Sequence, residues 1–118
     1  MAELQDFKKK IFSFEEALEI FPKIKEITTD AVKKATLLSA EMLTLPQGST
    51  RRDTLEDDYA GVTQEWASGI LSLGCEVKGL WLVDFDNGEG YYCWKYPEER
   101  LEYFHDYSSG FSGRMKIQ

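Results

Sequence analysis

Residues 80–106 read LWLVDFDNGEGYYCWKYPEERLEYFHD, and most of their apolar side chains are aromatic or β-branched. Apolar and polar residues alternate in much of this segment, and a period of two is typical of β-strands. Breaker residues interrupt the pattern at 86–88 and at 97–99. The segment therefore predicts an antiparallel meander of three strands, at 80–85, 91–96 and 101–106.

Turn chemistry sets the expected register of this meander. Asn87-Gly88 favours a two-residue type I′ turn, and a second loop is expected over 97–100. The predicted cross-strand pairs are Asp84 with Tyr91, Val83 with Tyr92, Trp81 with Trp94, Tyr96 with Leu101, Tyr92 with His105 and Tyr91 with Asp106. These pairs decide which side chains meet on each face of the sheet.

Alternation divides the side chains between two faces. One face is rich in rings, and we expect it to pack on helices. It carries Trp81, Val83, Phe85, Tyr92, Trp94, Tyr96, Leu101, Tyr103 and His105. The opposite face carries Leu82, Asp84, Tyr91, Cys93, Lys95, Glu102, Phe104 and Asp106.

A long amphipathic helix is predicted upstream of the meander. It begins after Ser13, which is expected to form a capping box with Glu16. Its apolar and small residues recur at alternating spacings of four and three up to Met42, which places them on one face. Pro22 either kinks this helix or lies in the first turn of a second one.

A second amphipathic helix follows the breaker residues at 45–49. Asp53 and Glu56 are spaced as a cap, and Gly74 is suited to end the helix. Two such helices joined by a short loop indicate an antiparallel hairpin.

The expected fold is therefore α+β, a long antiparallel helical hairpin packed on a three-stranded antiparallel β-meander. A chain of 118 residues is expected to form a single domain. Its predicted parts are 13–44 (a helix or kinked helix pair), 53–73 (a helix), 80–106 (the meander) and 107–118 (a C-terminal tail).

Charge and cysteine content narrow the possible functions. The net charge of −7 disfavours nucleic acids and anionic membranes as partners, because both are negatively charged. The sequence shows neither an apolar leader nor a run of membrane length, so we expect a cytoplasmic protein. Its two cysteines are expected to be free thiols there. With a single histidine, they cannot supply the four Cys/His ligands of a structural zinc site.

Three side chains are candidates for acid–base chemistry: His105, Asp84 and Asp106. His105 is the only imidazole in the chain, and imidazole titrates near neutrality in water. On the predicted register it lies on the aromatic face, where a hydrogen-bonded core histidine is the simpler interpretation. Cys93 is interpreted as a small buried hydrophobe rather than a nucleophile. No nucleophile–base pair is recognisable, so no catalytic residue is assigned.

Asp84, Tyr91 and Asp106 are expected side by side on the opposite face. Their oxygens could hold a divalent cation or, with Arg114 from the tail, a small polar ligand. The alternative is an exposed face that uses these charges for solubility, so no metal and no cofactor is assigned. The predicted ligand-binding residues are Tyr91, Trp94 and Arg114.

The sequence thus favours a non-catalytic interaction or small-ligand-binding protein. The alternative is a small hydrolase or lyase-type enzyme that uses His105 with Asp84 or Asp106, with or without a divalent metal. The helical hairpin could also form a homodimer or bind a protein partner, because a hairpin and three strands bury only a thin core.

Several motifs along the chain recur together in a known family. They are Phe12-Ser13-Phe14-Glu15-Glu16-Ala17, Phe21-Pro22, Leu73-Gly74, Val83-Asp84-Phe85, Cys93-Trp94, His105 and Gly110-Phe111-Ser112-Gly113-Arg114. Over nearly its whole length the chain resembles the uncharacterised, mostly bacterial family called domain of unknown function 2203. Phe104 departs from the family, which usually has Trp there. The resemblance implies a shared fold and a cytosolic setting, and it implies no particular activity, substrate or cofactor.

Overall fold

A computed structural model of the protein describes residues 10–117. Within that range, two helices are followed by a five-stranded sheet. The α+β prediction is confirmed, although the sheet has five strands rather than three. The elements are α1 (Phe14–Met42), α2 (Thr50–Ser72), β1 (Glu76–Gly79), β2 (Leu82–Asp86), β3 (Gly90–Lys95), β4 (Tyr103–Asp106), a 3₁₀ turn (Phe111–Gly113) and β5 (Met115–Lys116). The predicted domain also includes residues 1–9 and 118, which lie outside the described part.

Helix α1 begins where the sequence predicts it. The Ser13 hydroxyl accepts a hydrogen bond from the Glu16 amide at 3.0 Å, and the Glu16 carboxylate accepts one from the Ser13 amide at 2.9 Å. This capping box satisfies amides that the first helical turn leaves without partners. Pro22 lies inside the helix, which continues to Met42, so α1 is one helix rather than two.

Helix α2 begins earlier than predicted. Its N-cap is Ser49, whose hydroxyl accepts a hydrogen bond from the Arg52 amide at 3.1 Å. The predicted cap at Asp53 is therefore wrong. Asp53 lies in the first turn, where its negative charge is favoured by the helix dipole. Gly74 follows the helix with a φ of +92°, as expected for a glycine that ends a helix.

The two helices form the predicted hairpin and share one hydrophobic cluster. Phe21 and Ile24 from α1 and Trp66 and Ile70 from α2 are buried in it. The indole N–H of Trp66 donates to the Thr28 hydroxyl at 2.8 Å, so this polar contact in the core is satisfied. Within residues 10–117, no helix combines the length and the apolar character needed to cross a membrane.

The sheet has the strand order β1-β2-β3-β4-β5, and all neighbouring strands are antiparallel. The predicted meander omits β1 and β5. β1 is short and has a single large apolar residue, Val77, so it shows too little alternation to predict a strand. β5 has only two residues. Both lie at the edges of the sheet, where charged residues are common.

The turn between β2 and β3 lies one residue later than predicted. The Asn87 amide donates to the Gly90 carbonyl at 2.9 Å, so the two loop residues are Gly88-Glu89 rather than Asn87-Gly88. Gly88 has a φ of +94°, which suits the first loop position of a type II′ turn. Asp84 consequently pairs with Cys93 instead of its predicted partner. Moving the turn by one residue shifts each partner by two, so side chains in β2 and β3 keep their predicted faces.

The connection between β3 and β4 is longer than the predicted loop over 97–100. β3 ends at Lys95, and β4 does not begin until Tyr103. Glu98 orders this connection. Its carboxylate accepts a hydrogen bond from the Lys95 amide at 2.9 Å, and its carbonyl accepts one from the Trp94 indole at 2.8 Å.

This longer connection shifts the register of β4 by one residue. His105 pairs with Tyr91, and not with Tyr92 as predicted. Because side chains alternate along a strand, a shift of one residue moves every side chain of β4 to the other face. The predicted placement of His105 and Tyr103 on the aromatic face is therefore wrong. Phe104 lies on that face instead, with its ring centroid 6.2 Å from that of Tyr92.

The inner face of the sheet packs on the hairpin as predicted. Phe85 and Trp94 are fully buried, and Trp94 contacts Phe21 of α1 edge to face with ring centroids 5.4 Å apart. Trp81 is placed differently from the prediction. It lies in the turn between β1 and β2 with a φ of +63°, and its ring contacts Trp66 instead of pairing with Trp94.

The segment before α1 joins the hairpin to the sheet. The Phe12 amide donates to the Asp86 carbonyl at 2.7 Å, and the Lys10 amide donates to the Gly74 carbonyl at 3.3 Å. The Phe12 ring is buried against Phe85, with centroids 5.6 Å apart. The start of the described chain therefore contributes to the same core as the sheet.

Candidate functional site

The outer face of the sheet brings together three buried side chains: Asp84 from β2, Cys93 from β3 and His105 from β4. Asp84 and Cys93 are cross-strand partners, and His105 lies opposite Tyr91 on the neighbouring strand. One donor atom from each lies within 4.8 Å of the other two. His105, the most exposed of the three, is 3% exposed. Because water hardly reaches these groups, their interactions with one another dominate. We refer to them as the DCH cluster.

Both ring nitrogens of His105 have a hydrogen-bond partner. Nε2 lies 3.0 Å from Asp84 Oδ2, and Nδ1 lies 2.8 Å from the carbonyl oxygen of Asp106. A carbonyl oxygen only accepts, so Nδ1 carries a proton and donates it. The contact with Asp84 holds one further proton, either on Nε2 beside a carboxylate or on Oδ2 beside a neutral ring. In both forms the pair has no net charge, which is the favourable state for buried groups.

The Asp84 carboxylate is only partly satisfied by its surroundings. Burial raises the pKa of this carboxyl, while Cys93 and His105 act to lower it. Its second oxygen, Oδ1, accepts no hydrogen bond from any residue in the described part of the chain. The Cys93 thiol next to the carboxylate helps to lower its pKa, but a thiol is a weak donor and Oδ1 has no partner at hydrogen-bond geometry among the described residues. A buried polar atom without a partner costs about 1–3 kcal/mol, so a bound group that reached Oδ1 would be stabilised there.

Cys93 is a protonated thiol in this environment. Burial raises its pKa to about 12, the Asp84 carboxylate adds to the effect, and the Arg114 guanidinium opposes it. A thiol in this state is a poor nucleophile, in agreement with the interpretation made from the sequence. Cys75 is also a free, buried thiol with a pKa raised to about 12 by burial, but it lies in the hydrophobic core.

Arg114 closes one side of the DCH cluster, next to Cys93. Its guanidinium makes two hydrogen bonds to the Glu98 carboxylate, of 2.7 and 3.0 Å. It also lies over the rings of Tyr103 and Phe111, 4.0 and 4.2 Å from their centroids. Arg114 is therefore held in place by a paired charge and two rings, and it ties the tail to the sheet.

A cavity of about 230 Å³ lies beside the DCH cluster, and we call it the outer cavity. It is more enclosed than the grooves along the helices. Its wall includes Lys78, Leu82, Asp84, Tyr91, His105 and Phe111. Polar and apolar groups are thus combined around one small space.

Lys78 brings a positive charge to the wall of the outer cavity. Its ammonium group lies 3.1 Å from the Glu76 carboxylate and 4.1 Å from the centre of the Tyr91 ring. Burial opposes the charge, but the interactions with Glu76 and Tyr91 prevail and raise the pKa of Lys78. Lys78 is therefore cationic at neutral pH.

Asp106 does not join the DCH cluster through its carboxylate. Oδ1 of Asp106 accepts hydrogen bonds from the amides and hydroxyls of Ser108 and Ser109 in the exposed turn after β4. The bonds from Ser109, followed by those from Ser108, lower the pKa of this carboxyl. The predicted row of Asp84, Tyr91 and Asp106 is not formed, because both strand registers differ from those predicted.

The three predicted ligand-binding residues are placed in three different environments. Tyr91 lines the outer cavity, where its ring lies 5.4 Å from that of His105 and its hydroxyl donates to Glu76 at 3.2 Å. Arg114 lies beside Cys93. Trp94 is 0% exposed and packs in the core against the helices.

The region that contains the cluster matches a known family. A model of the family DUF2203, described as uncharacterized conserved protein, matches residues 10–117. The chain belongs to this family. The resemblance identified from the motifs is therefore confirmed. No curated protein and no solved structure matches the chain.

The sequence of this DUF2203 protein identifies side chains of the site but does not predict the contacts between them. Asp84 and His105 stand out by residue type, yet the predicted register separates them on opposite faces. Cys93 stands out less, because a lone cysteine is common in cores. Cys93 pairs with Asp84 only because the turn lies at Gly88-Glu89. The sequence signal for a turn is stronger at Asn87-Gly88, one residue earlier, and that turn would give a different pairing.

Proposed function

We propose that this DUF2203 protein is a non-catalytic, cytoplasmic protein that binds a small molecule in the outer cavity. The observation that supports this most directly is a partly enclosed space of about 230 Å³ whose wall contains the buried Asp84–His105 pair. Cavities with apolar walls and a few fixed polar groups are the usual sites of small ligands. The volume is below the roughly 300–1,000 Å³ of pockets for drug-sized molecules, so the ligand is of fragment size.

The wall of the outer cavity indicates the kind of molecule that fits. Leu82 and Phe111 offer apolar surface, and Phe111 is 44% exposed, so its ring is accessible. Lys78 supplies a cation, and the pair of Asp84 and His105 supplies hydrogen-bonding groups. A small molecule with a flat apolar part and one polar end matches this arrangement.

A second candidate function is acid–base catalysis of the hydrolase or lyase type, which the 3.0 Å contact between His105 and Asp84 favours. In acid–base sites, a histidine commonly has one ring nitrogen on a carboxylate and the other facing the substrate. Here Nδ1 donates to the Asp106 carbonyl instead. Neither nitrogen is left to exchange a proton with a substrate, so we place binding first.

A fragment screen by NMR tests the binding proposal, with metal-free protein in the presence of a chelator. His105 contains the only imidazole in the chain, so its ring signals report on the outer cavity without ambiguity. We expect at least one fragment to shift these signals in a saturable way. Phe111→Ala should weaken that fragment at least about fivefold, which corresponds to about 1 kcal/mol. Met115→Ala is the matched control, because Met115 lies in the same segment, is 62% exposed and should leave the affinity unchanged.

Two results would contradict this proposal. One is a screen in which bound fragments shift only signals of the helices, and the other is equal affinity for the wild type and Phe111→Ala. Mass spectra of the recovered fragments separate the two candidate functions. Unchanged fragments fit a binding protein, whereas conversion that stops in His105→Asn would establish the enzyme.

We also propose that the end of the hairpin where α1 ends and α2 begins binds a second copy of the chain. α1 has 29 residues and is about 43 Å long, whereas the strands have at most six residues. Leu37 and Leu43, near its C-terminal end, are 73% and 80% exposed. Burial of such side chains is the usual driving force for association of helical hairpins.

Sedimentation equilibrium tests this dimer. We expect the wild-type protein to be dimeric and the double variant Leu37→Ser, Leu43→Ser to be monomeric. Met115→Ser removes an exposed apolar side chain from the edge of the sheet, and it should stay dimeric. A wild type that stays monomeric at about 100 µM would rule out this proposal. Its dissociation constant would then exceed about 100 µM, which is weaker than expected for a stable, specific dimer interface.

A further inference from the structure

The DCH cluster has the donor atoms of a transition-metal site. A carboxylate oxygen, a thiolate sulfur and an imidazole nitrogen are all ligands of zinc in proteins. Bonds of about 2.0–2.3 Å to one ion place tetrahedral ligands about 3.3–3.8 Å apart. The three donor atoms lie within 4.8 Å of one another, and His105 Nε2 lies 3.0 Å from Asp84 Oδ2. Small side-chain movements are enough to close these atoms around an ion.

We propose that Asp84, Cys93 and His105 bind one divalent transition-metal ion of the zinc class. This site goes beyond the small-molecule function, and it stands whether or not the outer cavity binds an organic ligand.

The orientation of His105 fits a metal ligand. A histidine that binds a metal through one ring nitrogen usually donates the other N–H to a carbonyl or carboxylate, which fixes the ring and its tautomer. Here Nδ1 donates to the Asp106 carbonyl at 2.8 Å, and Nε2 points to Asp84. The ring is therefore already oriented with Nε2 toward the other two donors.

Asp84 supplies an independent indication of a bound group. The residue is 1% exposed, and its Oδ1 has no hydrogen-bond partner among the described residues. Buried oxygens of this kind are rare without an ion or a water nearby. A metal ion bound through Oδ1, or through both carboxylate oxygens, would remove this deficiency.

Charge balance favours a divalent ion. Without metal, the cluster holds a neutral thiol and a neutral Asp84–His105 pair. When a metal ion binds, Cys93 loses its thiol proton and the Asp84–His105 pair loses the proton that it shares. The charge of +2 on the ion replaces the charge of these two protons. The buried cluster thus stays neutral, whereas an ion of another charge would leave net charge in a region of low polarity.

Arg114 and the outer cavity complete the arrangement. The Arg114 guanidinium lies next to Cys93, where it stabilises the thiolate that a metal requires. Its charge is already paired with Glu98, so it does not repel the ion strongly. Asp84 and His105 also line the outer cavity, which gives an ion a path of entry. Three protein ligands leave a further position open, as in zinc sites that bind a water molecule or a substrate.

Titration with Co²⁺ tests the proposal on the full chain, metal-free, reduced and without a histidine tag. Co²⁺ bound to a thiolate gives a charge-transfer band in the near ultraviolet, and four-coordinate Co²⁺ gives strong visible bands. We expect one Co²⁺ per chain with both signals, and we expect Zn²⁺ to displace it. Cys93→Ala should lose the charge-transfer band and bind at least about 10-fold more weakly, because even the loss of a group that only orients a ligand costs about 10–100-fold. Cys75→Ala is the matched control, since Cys75 is equally buried outside the cluster and should retain both signals.

Cys93→Ala could lose metal binding simply because it misfolds, so a second variant, Asp84→Asn, replaces a ligand with a side chain of the same size. Zn²⁺ should raise the Tm of the wild type and of Cys75→Ala, but not that of Asp84→Asn, because an ion stabilises only a fold that binds it. Absence of stoichiometric Co²⁺ binding to the wild type overturns the proposal. Binding without a charge-transfer band overturns it as well, since surface carboxylates would then be the ligands. The same conclusion follows if the band survives in Cys93→Ala. Because fragments are screened with a chelator present, these outcomes leave the small-molecule proposal unaffected.

Discussion

Replacing Trp94 with alanine is expected to destabilise the protein by about 3–5 kcal/mol, a large part of the stability of a typical small domain. Trp94 is 0% exposed, and its ring contacts Phe21 of α1. Its indole N–H also donates to the Glu98 carbonyl, which helps to order the connection between β3 and β4. The substitution thus removes a core contact and a loop contact together.

Urea unfolding followed by circular dichroism measures this loss. Met115→Ala is the matched control, because Met115 is 62% exposed and its removal should change the free energy of unfolding by less than about 0.5 kcal/mol. A loss of less than about 1 kcal/mol for Trp94→Ala would contradict the packing described for the inner face.

Replacing Gly90 with alanine is expected to destabilise the protein by about 1–3 kcal/mol and to disturb the DCH cluster. A Cβ atom at this position would lie 2.5 Å from the His105 carbonyl oxygen and 2.9 Å from the Asp106 Cα atom. These are backbone atoms of β4, so they cannot move aside as a flexible side chain can. β3 and β4 would have to separate next to His105, and its ring signals should shift.

Gly61→Ala provides a control with the opposite sign. Gly61 lies within α2, and a Cβ atom there would meet nothing within 4 Å. We expect this variant to gain about 0.5–1 kcal/mol, because alanine favours a helix over glycine. A neutral or stabilising effect of Gly90→Ala would refute the close approach of β3 and β4 at Gly90, and a loss of stability in Gly61→Ala would refute the open surroundings of Gly61.

The fold was predictable where local chemistry decides it. The capping box of Ser13 and Glu16 determines where α1 begins, and the alternating rings of residues 80–106 determine that strands follow. The capping box and the alternation of rings both depend on residues that are close in sequence, so the sequence pattern is sufficient to predict the helix start and the presence of strands. β1 escaped prediction because its pairing with β2, rather than its own composition, makes it a strand.

The candidate site was less predictable, because it depends on two registers. A register is set by the length and geometry of a loop, and a change of one residue reverses the face on which His105 lies. The connection from Lys95 to Tyr103 is ordered by Glu98 through contacts that residue types alone do not reveal. The sequence therefore identified Asp84 and His105 as candidates without predicting that they touch.

The order of elements along the chain has a consequence for synthesis on the ribosome. The whole sheet follows the hairpin, and the core combines Phe12, which precedes α1, with Trp94 from β3. The part of the helical apolar surface that the sheet covers must therefore stay uncovered until residues 76–116 have emerged. During that interval the nascent chain exposes apolar surface that favours aggregation.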